Sequence, residues 1–194
     1  MTGADDTIQV LHVDDEPDFA DLAATYLERA DDRLAVRSAT DAEEGLAMLS
    51  TQEIECVISD YEMPGRNGID FLEAVREESP DLPFILYTGK GSEEVASDAI
   101  SAGVTDYLQK GRGTDQYAVL ANRVTNAVES YRSQRVLADR NRDLRRYKHM
   151  IDSMGEAACI YDETGRFVVV NEYLAGWYDT TPAALEGRES NLIP

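Results

Sequence analysis

Between Thr7 and about Lys110 the chain alternates five times between a short apolar run and a longer amphipathic stretch, and this alternation limits the possible folds more than any other feature. The runs IQVLHVDD (8–15), RLAVRSA (33–39), CVISDY (56–61), LPFILYTG (82–89) and DYLQK (106–110) are short and mostly apolar, as expected of strands covered on both faces. The stretch EPDFADLAATYLERA (16–30) places Phe19, Leu22, Ala23, Tyr26 and Leu27 at helical spacing, with Pro17 in the first turn, where proline is tolerated. DAEEGLAMLST (41–51) predicts a helix capped by Asp41 or Thr40. GIDFLEAVREES (68–79) predicts a helix that stops before Pro80, and SEEVASDAISAG (92–103) one that closes on Gly103. Together these elements predict an α/β fold with a doubly wound, five-stranded parallel sheet. In such sheets function collects at the carboxyl ends of the strands.

Those ends carry chemistry. The first strand delivers Asp14 and Asp15, the third Asp60, the fourth Thr88 and the fifth Lys110. Any one of these residues could be a solvated strand end, but that reading does not account for all five on one edge. Carboxylates held together raise one another's pKa, and a hard divalent cation relieves the repulsion; oxygen ligands and waters suit Mg²⁺. A lysine beside them is a point charge suited to phosphate, and a threonine hydroxyl can donate to a phosphoryl oxygen. The set can make a carboxylate a phosphoryl acceptor, with metal and lysine neutralising the transferred oxygens. The loop TGKGSEE lacks the spacing of a phosphate-binding P-loop.

The motifs HVDDEP, DYEMPGRNG, YTG and DYLQKG, in that order, resemble the receiver domain of two-component response regulators. Asp60, Met63, Pro64 and Gly68 match the family's D-x-x-M-P-x-x-x-G, and the likeness covers about residues 7–130. The resemblance implies a flavodoxin-like sheet with Asp60 as phosphoacceptor. It also implies Asp14, Asp15, Asp60 and the Glu62 backbone carbonyl around Mg²⁺. Thr88 and Lys110 would act as switch and phosphate-contacting residues, and Tyr107 would be the aromatic switch. Gly111 follows Lys110 where the family usually has proline and a cis peptide. The resemblance places Lys90 and Glu62 at family positions that flank water's approach to the phosphoryl group, and their opposite charges are expected to pair and lengthen the phosphorylated state.

From Asp115 some 40 residues run without Pro or Gly. Tyr117, Leu120, Val124, Ala127 and Tyr131 follow helical spacing, and Leu137, Leu144, Tyr147, Ile151 and Met154 resume it one residue out of phase. This predicts one long helix that self-associates through its stripe, or two shorter helices broken near 132–136. Arg132 to Lys148 holds seven of the 18 basic residues, which reads as a solvated helix face or a partner surface. EAACIYDETGRFVVVNEYLAGW (156–177) then predicts a hairpin and a helix, and TTPAALEGR a further turn of helix with Thr181 as cap. This segment resembles the first half of a PAS sensor domain, with Asn171 and Gly187 at typical positions, and lacks the later strand meander. The expected division is a receiver at 1–128, a helical linker at 129–153 and an incomplete, α+β, PAS-like segment at 154–194.

A net charge of −20, with only three lysines, argues against nucleic-acid binding and fits a halophilic microbe. No apolar run approaches a membrane span, so a cytoplasmic protein is expected, and Cys56 and Cys159 are expected as buried free thiols. The expected function is two-component signalling, not enzyme turnover: a histidine kinase or phosphotransfer protein phosphorylates Asp60. The switch then acts on a homodimer formed through the face of the fourth helix, fifth strand and fifth helix, or through the linker. Two alternatives stay open. One is a metal-dependent phosphohydrolase with Asp60 as nucleophile; the other is a phosphorylation-independent dimerisation module.

Overall fold

The computed structural model describes residues 6–89, 93–153 and 155–189. Five strands alternate with five helices: β1 (Ile8–Val13), α1 (Pro17–Ala30), β2 (Leu34–Ala39), α2 (Ala42–Thr51), β3 (Cys56–Ser59), α3 (Gly68–Glu78), β4 (Phe84–Thr88), α4 (Glu93–Ser101), β5 (Asp106–Gln109) and α5 (Asp115–Asp152). All four strand pairings are parallel, in the order β2-β1-β3-β4-β5. The order reverses between β1 and β3, which opens a crevice at their carboxyl ends.

Side chains of successive strand residues point to opposite faces, and each face carries its own core. Leu11, Val13, Val57 and Leu86 pack with Phe71, Leu72 and Val75 of α3 and with Val95 and Ala99 of α4. Ile8, Val10, Ile58, Ile85 and Tyr87 pack with Leu27 of α1 and with Leu120, Ala121, Val124 and Val128 of α5. Within α1 the buried residues are Ala20, Ala23 and Leu27, while Leu22 is 48% exposed, so the predicted stripe is narrower by one leucine.

The helix ends follow local chemistry. Asp41, not Thr40, caps α2 by accepting from the Glu44 N–H, and Thr40 instead donates to the Glu44 carboxylate. Asn67 and Asp70 form a reciprocal capping box at the start of α3, which satisfies two otherwise orphaned N–H groups. Gly103 ends the fourth helix with φ of 83°, a left-handed turn that side chains with a Cβ resist. Near its middle α5 is tied to the start of β3 by Arg132, whose Nε and Nη2 reach the Glu55 carboxylate at 2.7 and 2.8 Å.

The chain divides into two units between Gln134 and Arg135, inside α5. The helix is one element across this point, with no break at 132–136. In the second unit β6 (Cys159–Tyr161) and β7 (Phe167–Val170) form an antiparallel hairpin, followed by α6 (Glu172–Trp177) and α7 (Pro182–Leu185). Asp162 shapes the hairpin turn by accepting from Thr164 and Arg166 N–H groups. Buried Asn171 caps α6 and also accepts from the Ala158 N–H. Thr181 occupies the cap position of α7 without a side-chain cap bond, so there Pro182 alone marks the helix start. Cys56 is buried and Cys159 only half-buried, both as free thiols. Among the described residues no helix is long and apolar enough to cross a membrane.

Candidate functional site

The site begins where three strands end. Asp14 follows β1, and Asp60 follows β3, on the two sides of the crevice where the strand order reverses. Parallel ladder bonds continue one residue past each strand, from Asp14 N–H to Ala39 O at 3.1 Å and from Asp60 N–H to Val13 O at 2.8 Å. The backbone of both acids is therefore as fixed as the sheet itself. Asp14 is fully buried, Asp60 is 8% exposed and Asp15 is exposed. One carboxylate oxygen from each of the three lies within 4.8 Å of the others.

Lys110, just past β5, reaches across the crevice. Its Nζ donates to Asp14 Oδ2 at 2.7 Å and to Asp60 Oδ2 at 2.8 Å. Burial alone would lower the Lys110 pKa; the hydrogen bonds and charges of Asp14 and Asp60 outweigh it and hold the ammonium above its ordinary range. The same Nζ sits 4.3 Å from the centroid of the Phe19 ring, a cation–π contact that shields one side of the ammonium from water. Asp60 Oδ1 in turn accepts from the Tyr61 N–H at 2.6 Å, so both oxygens of this carboxylate are held in place.

Thr88 ends β4 with 1% exposure, and its carbonyl accepts from the Lys110 N–H at 2.8 Å. Tyr107 pairs in register with Leu86 and is half-buried against the α3/α4 core; its buried hydroxyl has no hydrogen-bond partner among the described residues. Glu62 lines, with Asp15, Tyr61, Met63, Pro64 and Asn67, an open cleft of about 410 Å³ beside the acidic cluster. Asp14, Asp15, Asp60 and Lys110 thus meet, Thr88 joins Lys110 through the backbone, and Tyr107 sits apart from the carboxylates on the neighbouring strand. Lys90, expected to pair with Glu62, lies outside the described residues.

The breaker-rich loop after Asp60 has a steric reason. Gly68 opens α3 so close to β3 that a Cβ on it would sit 2.2 Å from the Asp60 carbonyl oxygen and 2.8 Å from Leu86 Cδ1. Glycine lets the helix start directly against the phosphoacceptor candidate, and the Gly68 N–H closes the loop by donating to Tyr61 O. Two features near the site were not singled out from sequence. Phe19 reads there only as a core residue of α1. His12, two residues before Asp14, is fully buried with Nε2 3.8 Å from Asp14 Oδ2, and burial pushes its pKa down to about 4 despite the opposing pull of Asp14.

The donor set is three carboxylates around a small gap with a lysine already bridging two of them. All-oxygen ligation of that kind fits a hard divalent cation such as Mg²⁺. The fold and the site together define a doubly wound α/β domain with an acidic pocket at its topological switch point. The family model for the response regulator receiver domain matches residues 10–121, and the chain belongs to that family. The chain is 31% identical over 130 residues to the nitrogen assimilation regulatory protein NtrX of Azorhizobium caulinodans, covering 66% of this chain and 28% of that protein. It is 30% identical over 127 residues to the response regulator SaeR of Staphylococcus aureus, covering 66% of this chain and 54% of that one. It therefore spans about a quarter to a half of the length of these curated relatives. Among solved structures, a receiver domain protein of Clostridium thermocellum superposes with a TM-score of 0.58 at 26% identity, over 66% of this chain and 98% of that one.

Proposed function

We propose that this chain acts in two-component signal transduction by accepting a phosphoryl group on Asp60 from a histidine kinase or a phosphotransfer protein. The observation that carries the reading is the Lys110 ammonium bridging Asp14 and Asp60 at 2.7 and 2.8 Å within the three-carboxylate cluster. An Asp60 oxygen attacks phosphorus, the bond from phosphorus to the donor breaks, and the electron pair leaves with the donor. Asp14, Asp15 and Asp60, with the Glu62 carbonyl, would hold Mg²⁺. When bound, the ion neutralises charge on the transferred oxygens. Lys110 is placed to follow that charge, and Thr88 to donate its hydroxyl to a phosphoryl oxygen. Tyr107, whose buried hydroxyl has no hydrogen-bond partner among the described residues, is the aromatic switch whose position changes with Thr88.

Receivers are phosphoacceptor signalling domains, so the product is a stoichiometric acyl phosphate. A phosphohydrolase reading of the same acids would instead predict turnover of external phosphoesters. Incubation with a small phosphoryl donor, and separately with an excess of a chromogenic phosphoester, distinguishes the two. One phosphoryl group per chain without phosphoester turnover supports the proposal, and multiple turnovers overturn it. The proposed functional units are a receiver at 1–128, a helical linker at 129–153 and a PAS-like segment at 154–194. The antiparallel hairpin followed by two short helices supports the last of these. Exposed Leu137, Leu144 and Tyr147 along α5 support self-association through the linker; the face of α4, β5 and α5 is the other candidate surface. The acidic surface supports a cytoplasm of high salt.

A further inference from the structure

Lys110 does the electrostatic work of the site, yet the chain leaves the sheet immediately after it. The Lys110 N–H makes the last ladder bond, to Thr88 O at 2.8 Å. The next donor, the Gly111 N–H, lies beyond the ladder on an exposed residue. It donates to Gln116 Oε1 at 2.7 Å, and Gln116 Nε2 donates to Gly113 O at 2.7 Å. The same Oε1 accepts from the hydroxyl of Tyr87, the fully buried residue before Thr88. The amide orientation follows from its partners, since a backbone N–H can only donate and a backbone carbonyl can only accept. One side chain in the first turn of α5 therefore closes the 111–116 loop on itself and ties it to the end of β4. No peptide bond among the described residues is cis, and a proline at 111 would have no N–H to give to this clamp.

We propose that Gln116 is a positioning residue for phosphoryl acceptance: it holds the backbone at Lys110 so that Nζ rests between Asp14 and Asp60. Tyr87 anchors the clamp to the core, and burial keeps its phenol protonated and able to donate. The assignment rests on the phosphoacceptor reading of Asp60, and it predicts a split that a purely structural role would not give. In Gln116→Leu the loop loses all three bonds and Lys110 samples positions away from the carboxylates. Phosphorylation at saturating Mg²⁺ and donor then falls about tenfold or more, the scale of a misplaced catalytic group. Mg²⁺ affinity moves the other way, rising about threefold, because Asp14 and Asp60 are less neutralised by the ammonium. Tyr87→Phe, which removes one of the three bonds, shifts both quantities in the same directions by less.

The test is the full chain labelled with acetyl phosphate, with Mg²⁺ binding measured by calorimetry on the same samples. A slower rate together with tighter Mg²⁺ binding supports the clamp, and a slower rate with unchanged Mg²⁺ binding overturns it. A rate within twofold of wild type overturns it, and so does a rate that falls together with Mg²⁺ affinity, which would mean general loosening. If wild type takes no label, the phosphoacceptor reading fails. The clamp is then judged by Mg²⁺ affinity alone, which tightens in Gln116→Leu if the assignment holds and stays or weakens if it does not.

Discussion

Replacing Lys110 with methionine removes the charge that holds the acidic cluster together and keeps most of the side-chain volume. The ammonium is 2.7 Å from Asp14 and 2.8 Å from Asp60, with side-chain exposures of 15% for the lysine, 0% for Asp14 and 11% for Asp60. At an effective dielectric near 20, each contact is worth about 6 kcal/mol of gross attraction, most of which is offset by desolvation. Removing one partner of such a buried arrangement costs about 3–5 kcal/mol, because the remaining charges stay buried without compensation. The residual exposure of Lys110 places this case near the lower end. Lys110→Met should therefore be less stable than wild type by about 3 kcal/mol in EDTA. Mg²⁺ changes the comparison. The variant binds it without displacing an ammonium, and a ligand at about a hundred times its dissociation constant stabilises a native state by about 2.7 kcal/mol. Wild type binds Mg²⁺ as well, so the gap shrinks only by RT ln of the ratio of the two dissociation constants; a variant that binds about tenfold tighter brings it from about 3 to about 1.6 kcal/mol at saturating Mg²⁺. Urea unfolding followed by circular dichroism, in EDTA and in Mg²⁺, measures both values. A variant as stable as wild type in EDTA, or a gap that Mg²⁺ leaves unchanged, would refute the electrostatic account of the pocket.

Gly68→Ala should cost about 1–3 kcal/mol in urea unfolding and slow phosphorylation of Asp60, since its Cβ would press on the Asp60 carbonyl oxygen at 2.2 Å; a neutral effect on both would contradict the close-approach argument. Burial pushes the Cys56 thiol up, so it stays protonated in the native state even at mildly alkaline pH. The unfolded thiol ionises near its ordinary value of 9.0, so this group withdraws stability only as pH rises past that point. A thiol reagent at pH 8.5 should modify half-buried Cys159 and reach Cys56 only in denaturant, and rapid native labelling of both would count against the burial. Melting temperature should rise with KCl up to molar concentrations, as screening relieves the net charge of −20; no gain would remove the support for a high-salt origin.

The alternation of apolar runs and amphipathic stretches was enough to read a parallel sheet, because strands buried on both faces leave a signature that local propensity does not blur. The strand-end acids were legible for the same reason: topology places every carboxyl end on one edge, whatever the sequence distance between them. Pairings across that edge were not legible. Nothing in the order of residues shows that Lys110 bridges Asp14 and Asp60, or that Phe19 turns its ring toward Nζ; those are facts of side-chain reach in three dimensions. Gln116 is harder still, since a glutamine in a first helical turn is ordinarily solvated, and only its three bonds single it out. Gly68 lay between the two cases. Its place in the motif was visible, while the reason, close approach to the Asp60 backbone, required the packing of α3 on β3.

The central claim is that Asp60 accepts a phosphoryl group in a metal-assisted reaction. Intact-mass measurement after incubation with acetyl phosphate tests it most directly, on wild type and on Asp60→Asn, each with Mg²⁺ and with EDTA. Wild type should carry a single phosphoryl group with Mg²⁺ and little or none in EDTA, and Asp60→Asn should carry none. An unlabelled wild type, or an Asp60→Asn chain labelled as fully as wild type, would contradict it.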